Sequence, residues 1–187
     1  MPGYVIHLAI AEEYLKKHKN NHEDYHQFIE GVIFPDSVTD KSLTHFGKKS
    51  SKSNLFNFLE ENKLENSFQR GYFLHLLTDY LFYNKYIDTM TDDMYNDYDL
   101  LNEMLIQKYK VILPEKIKEF VFFKNNGSLK ILSPALVEKI IKEISDMNLY
   151  AIEKDIKENP NKWTIFNKLK RIWFICLLLF HIYALHD

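Results

Sequence analysis

The stretch FQRGYFLHLLTDYLFYNKYI, Phe68 to Ile87, constrains this 187-residue chain more than any other. Together with its flanks, Asn66 to Thr89, it forms the longest helical pattern in the sequence, and its middle is apolar almost all round. A helix of that kind has to be central. It nevertheless carries His75 and Asp79, spaced i and i+4, so the two side chains stack on one face and point the same way. A carboxylate in such surroundings is expensive unless it is paired. Metal coordination would meet that cost, as would a hydrogen bond to His75 or an ion pair with Lys85 or Arg70.

Helical periodicity dominates the remainder. Tyr4 to Lys17 reads as a first helix with Ile6, Leu8, Ile10, Ala11, Tyr14 and Leu15 on adjoining apolar stripes. A second helix places Tyr25, Phe28, Ile29 and Val32 on one face and is stopped by Pro35. Asp36 to about Ser53 has no period and reads as a long loop. Leu55 to Glu61 is a short helix, and Tyr95 to Tyr109 a longer one. Pro114 opens EKIKEFVFF, and Asn125-Asn126-Gly127 is a turn. Ser133-Pro134 starts a helix to about Lys157, and Asn159-Pro160 a last helix running to the C-terminus. With 5 glycines and 5 prolines against 12 tyrosines and 14 phenylalanines, long helices are favoured over short strands. The expected fold is all-α, a single compact domain of about eight helices.

The formal net charge of -2 gives no general field for nucleic acid, so no stable nucleic-acid complex is expected. Cys176 is the only cysteine, which excludes an internal disulfide and a multi-thiolate zinc site. The N-terminal MPGYVIHLAIAEEYLKK lacks a basic lead-in, and Glu12-Glu13 interrupt its apolar run. A signal peptide is therefore not expected, and the chain is placed in the cytoplasm. The apolar run Ile172 to Leu185 is shorter than the roughly 20 residues that span a bilayer, and His181 interrupts it. It reads as a buried core helix, with a homodimer or partner face as the other reading.

Three further residues invite a chemical reading. His7 lies inside the first apolar helix, Asp36 follows Pro35 in GVIFPDS, and His45 sits in THFG within the long loop, where functional residues concentrate. Singly, they read as a core histidine, a turn residue and a surface histidine. In order, with YFLHLLTD after them, they resemble the zinc-dependent phospholipase C family and its small bacterial relatives, a family akin to single-strand-specific zinc nucleases. The resemblance covers roughly the first half of the chain, to about Tyr86. It implies an all-α, phospholipase C-like fold in which His45, His75, Asp36 and Asp79 bind one metal. His7 and one of the carboxylates would reach a neighbouring ion. It also implies zinc, one or two ions, with iron or manganese compatible with the same donors. The activity implied is hydrolysis of a small phosphoester or a phospholipid headgroup by metal-activated water, with Asp36 as general base. Lys41, Lys48, Lys49 and Lys52 surround His45 and could help to hold a phosphate.

The sequence departs from that family in two places. It opens Met1-Pro2-Gly3, without the N-terminal tryptophan whose amino group is a ligand in the secreted phospholipases. No histidine occurs between His75 and His181, where the family has a further histidine and an H-x-x-x-E pair. Asp97, Asp99 and Glu103 stand there instead, either completing a second site or forming a solvated acidic face. Other readings are weaker. His22 to His26, HEDYH, matches the zinc-protease pattern, but its run-in LKKHKNN is polar. The adjacent pair His186-Asp187 has no later aspartate, as an HD phosphohydrolase requires. Only Glu23 to His26 supplies a Glu-x-x-His motif, where a di-iron bundle needs two. The rival of a different class is a helical interaction or metal-binding module without catalysis.

Overall fold

The computed structural model describes residues 3–19 and 22–166, together with the backbone of 170–171. It is mostly helical, as expected. The elements that build the site come first in the chain: α1 (Tyr4–Lys17), α2 (Tyr25–Ile33), α3 (Lys41–His45), α4 (Leu55–Glu61) and α5 (Ser67–Leu81). They are followed by α6 (Asp93–Tyr109), α7 (Pro134–Ser145), α8 (Leu149–Glu158) and α9 (Pro160–Thr164). Polar caps set most of the boundaries. Asp24, Asn54, Asn66, Ser133 and Asn148 each accept the backbone N–H three residues on, satisfying one of the donors a helix start leaves open.

Helix α5 is the axis of the fold: every residue from Arg70 to Leu81 is buried. It packs most extensively on α2, and also on α4, α1 and α8, while α1 lies against α6 and α7. The α2–α5 crossing is unusually close because a glycine stands on each side of it. A Cβ on Gly31 would fall 2.0 Å from the Phe68 carbonyl oxygen, and one on Gly71 2.0 Å from that of Phe28. Past Leu81 the rod does not stay α-helical to Thr89; it widens into a π-helical turn, Phe82–Tyr86, and becomes extended at Ile87.

Three other expectations are corrected. The stretch from Asp36 to Ser53 is not a plain loop. It holds the end of a 3-10 turn (Phe34–Asp36), then α3, then a second 3-10 turn (Ser50–Lys52). The helix expected from Pro134 to Lys157 is two, because the N-terminal cap at Asn148 starts a new one after Ser145. The helix expected to run from Pro160 to the C-terminus is broken early: α9 ends at Thr164, where Ile165 turns extended, and most of the remainder lies outside the described residues. Among the described residues, strands are confined to β1 (Thr89–Met90) and β2 (Lys170–Arg171), a two-residue parallel pair. The segment Ile172 to Leu185, with Cys176 and His181, and the pair His186-Asp187 lie outside the described residues. No helix among the described residues is long and apolar enough to cross a membrane.

Candidate metal centre

Where α2 ends decides where the centre forms. Pro35 cannot continue the helix, so the last carbonyls of α2 have no partner within it. One of them, on Val32, lies 2.7 Å from His75 Nδ1. A carbonyl only accepts, so Nδ1 is the donor, and the neutral ring presents a bare lone pair on Nε2. The same device fixes His45. Its Nδ1 donates to the Lys41 carbonyl at 2.8 Å, the position one turn back in α3. Histidines that ligate metals are held this way, with the far nitrogen tied to an acceptor. His45 was expected in an irregular loop, but it is the last residue of a short helix. The surrounding turn is tied down by side chains. Thr44 Oγ1 donates to the Pro35 carbonyl, Tyr72 to that of Thr44, and Tyr4 to that of Asp36.

The donors converge. His45 Nε2 is 3.3 Å from His75 Nε2 and 2.9 Å from Asp79 Oδ2. His75 Nε2 is 3.5 Å from the same Asp79 oxygen. Asp36 Oδ1 stands 3.7 Å from His45 Nε2 and 4.0 Å from His75 Nε2. All four side chains are buried. Lone pairs facing one another at these distances repel unless a proton or a metal cation lies among them. A tetrahedral zinc site with bonds of about 2.0–2.1 Å has ligand–ligand edges of roughly 3.3–3.4 Å, and the measured separations scatter around that value. Two buried groups of three could hold a metal ion: Asp36 with His45 and His75, and His7 with His75 and Asp79.

His7 belongs to the same cluster. Its ring stacks on His75, with centroids 3.9 Å apart, and its Nε2 is 3.5 Å from Asp79 Oδ1, the carboxylate oxygen turned away from the first group. Asp79 therefore faces both donor groups, one with each oxygen. Burial, and then the charge of His75, push the His7 imidazole down to about 4 against the pull of Asp79. For His75 burial acts downward too and is the largest single influence, but Asp79, with Asp36 and the Val32 carbonyl, holds the ring above its ordinary value. Asp79 itself is opposed by burial and held well below the usual carboxylate range by its three histidines, His75 foremost.

The lysines divide. Lys41 Nζ is 3.3 Å from Asp36 Oδ1, in an ion pair whose geometry leaves that oxygen without a hydrogen bond. Lys48 and Lys52 line a surface cleft with Phe46, Asn54 and Phe166, and Lys49 is exposed. The Asp97, Asp99 and Glu103 group is neither a second site nor a simple solvated face. Asp97 is fully buried and accepts the backbone N–H groups of Lys130, Ile131 and Leu132 at 2.7–2.9 Å. Asp99 pairs with Lys124 at 3.1 Å, and Glu103 accepts from Gln107 at 3.2 Å. Asp97 is thus an anchor for the segment before α7. Asp97→Ala strands three buried donors and is expected to cost about 3 kcal/mol of stability, lowering the thermal midpoint while leaving zinc content unchanged. Loss of zinc on that substitution would restore the metal-site reading.

HEDYH resolves differently from its pattern. His22 lies outside any helix with φ of 51°, and both His22 and His26 are exposed. Glu23 forms a two-pronged bond to Arg70, Oε1 to Nε at 2.6 Å and Oε2 to Nη2 at 2.7 Å. That pair ties the approach to α2 onto the start of α5 and leaves no free carboxylate for a catalytic role.

Fold and site together define a mostly helical protein with a buried histidine–aspartate group that can hold a metal ion. Compared with models of protein families, with curated proteins and with solved structures, the chain has no significant match to any of them.

Proposed function

We propose that the chain is a metal-dependent phosphoester hydrolase of the phospholipase C type, using zinc on a phosphodiester or phospholipid-headgroup substrate. The observation that carries this reading is the aim of His45 Nε2 and His75 Nε2, each set by a carbonyl behind it, at the same two carboxylates. Two imidazoles and two carboxylates suit zinc, and such a set also accepts iron or manganese. Bound zinc supplies Lewis acidity toward a phosphoryl oxygen and makes a water acidic near neutral pH. The chain's own groups do the rest. Asp36 is the most exposed of the four ligand residues and offers its second oxygen, Oδ2, as acceptor for the proton of the attacking water. Lys41, about one-third exposed beside Asp36, meets the negative charge of the arriving phosphate.

A second reading has an observation of its own. Four buried protein donors can close a tetrahedron, as structural metal sites do, and leave no position for substrate. One experiment separates the two. Zinc-supplemented protein is expected to retain metal by mass spectrometry and to cleave bis-p-nitrophenyl phosphate or choline phosphodiesters, with a chelator lowering the rate more than about tenfold. Metal without turnover selects the structural reading. Wild-type protein that stays metal-free after supplementation removes both.

A further inference from the structure

Among the described residues, six buried side-chain polar atoms have no hydrogen-bond partner: His7 Nδ1 and Nε2, Asp36 Oδ1, Asp79 Oδ1, and the hydroxyls of Tyr83 and Tyr98. Proteins pair nearly all such atoms, and each one left unmet is costly. Their placement is informative: four belong to the histidine–aspartate cluster itself, and the two tyrosines come from elements that adjoin it. Tyr83 stands one turn beyond Asp79 on the same rod, in its π-helical part, a geometry frequent at functional sites. Tyr98 comes from α6 and its ring rests on Gly3, the residue that starts the helix carrying His7; a Cβ there would lie 3.2 Å from Tyr98 Cγ. Both tyrosines feel the charges of Asp79 and Asp36.

The unmet atoms sort into two kinds. Asp36 Oδ1 and Asp79 Oδ1 only accept. Each faces a single donor without a well-formed hydrogen bond, Lys41 Nζ at 3.3 Å and His7 Nε2 at 3.5 Å, so both suit a metal cation. The tyrosine hydroxyls and the N–H of neutral His7 are donors, which a cation cannot satisfy. Burial raises both tyrosines, Tyr98 well above its ordinary value, so their protons stay in place. Cation and anion together would satisfy every member of the set.

We propose that Tyr83 and Tyr98 donate hydrogen bonds from their hydroxyls to an oxyanion of the phosphate class, seated on the His7 side of the metal centre. This rests on the reading of the centre as a metal-dependent phosphoester site. The two carboxylates repel an anion until a metal neutralises them, so phosphate binds only to the metal-loaded protein. Neutral donors add no charge to the site; they fix where the oxyanion sits and leave Asp36 facing the incoming water. Tyr83 and Tyr98 are thus substrate-binding residues that the sequence pattern did not single out.

The test uses the full chain loaded with zinc, inorganic phosphate as the probe, and titration calorimetry as the readout. Wild type is expected to bind phosphate with zinc and not without it. Tyr83→Phe and Tyr98→Phe each weaken that binding roughly tenfold, with zinc content unchanged and thermal midpoints equal to or above wild type, since each removes an unpartnered hydroxyl. A double variant that binds phosphate as wild type does overturns the proposal and assigns the hydroxyls to water alone. Loss of zinc in either variant overturns it as well, making the hydroxyls metal ligands. Wild type that holds zinc but takes up no phosphate defeats the oxyanion site and leaves the metal centre standing. Wild type that holds no zinc defeats the reading beneath both.

Discussion

Asp79→Asn is expected to empty the protein of zinc and to lower its thermal midpoint by about 10 °C. The residue is the hub of the centre. Oδ2 lies 2.9 Å from His45 Nε2, 3.5 Å from His75 Nε2 and 3.3 Å from Ser53 Oγ, while Oδ1 faces His7 at 3.5 Å. The amide keeps the shape and removes the charge that these buried groups share. Breaking a buried charge network from one side costs about 3–5 kcal/mol, and each kcal/mol moves the midpoint of a chain this size by about 2–4 °C.

The pH dependence follows from the same charges. In the metal-free protein His75 lies above its ordinary 6.5, so its contribution is fully present below that value and is lost as pH rises through the folded one. Zinc needs the deprotonated ring, so the gap between zinc-loaded and metal-free midpoints widens as pH rises through neutrality. His7 acts on the acid side. With its folded value near 4, the unfolded chain binds the extra proton between about 6.5 and 4, and stability falls as pH drops through that window. Asp79, held well below 3.8, gives up its contribution only at still lower pH. Thermal melts from pH 4 to 8.5, with and without zinc, check the two histidine effects. A zinc-dependent rise in midpoint that survives Asp79→Asn, or one that does not vary with pH, contradicts the assignment of this cluster as the metal centre.

How much of this could be read from the sequence depended on whether a signal was local. His75 and Asp79 were legible because four residues of helix put two polar side chains on one apolar face. His7 and Asp36 stood out by context, one in an apolar helix and one after a proline that ends a helix. The helix holding His45 was not legible, since five residues make barely more than a turn and show no period. The break before Asn148 did have a signal, the polar run Ser145-Asp146 followed by a capping asparagine, and reading through it merged two helices. Asp97 was misread because its partners are backbone donors more than thirty residues away, which no local pattern encodes. Tyr83 and Tyr98 were hidden for a related reason. Tyrosines in aromatic-rich helices look like core, and only the absence of a partner for the buried hydroxyl distinguishes them.

Gly71→Ala shows how fold and centre depend on one contact, and its expected effect is as large. In an exposed helix the change would be favourable by up to about 1 kcal/mol, because alanine is the better helix former. Here the sign reverses. The new Cβ would lie 2.0 Å from the Phe28 carbonyl oxygen, and that obstacle is backbone, not a side chain able to swing aside. Gly31→Ala meets the Phe68 carbonyl in the same way from the other helix. Relief requires α2 and α5 to separate, at a cost above about 3 kcal/mol and a drop of about 10 °C in midpoint. The separation also reaches the metal. Val32 is the residue after Gly31, and His75 lies one turn beyond Gly71, so the crossing distance sets the 2.7 Å bond from His75 Nδ1 to the Val32 carbonyl. Once that bond lengthens, the ring is no longer aimed, and zinc affinity is expected to fall by about 10–100-fold, as when the outer hydrogen bond of a ligating histidine is lost. Circular dichroism melts and zinc titration on both glycine variants measure the two effects, with His75→Ala alongside as a variant that removes the ligand without forcing the helices apart. If Gly71→Ala is destabilised yet binds zinc as wild type does, the crossing supports the fold alone and the aim of His75 is set elsewhere.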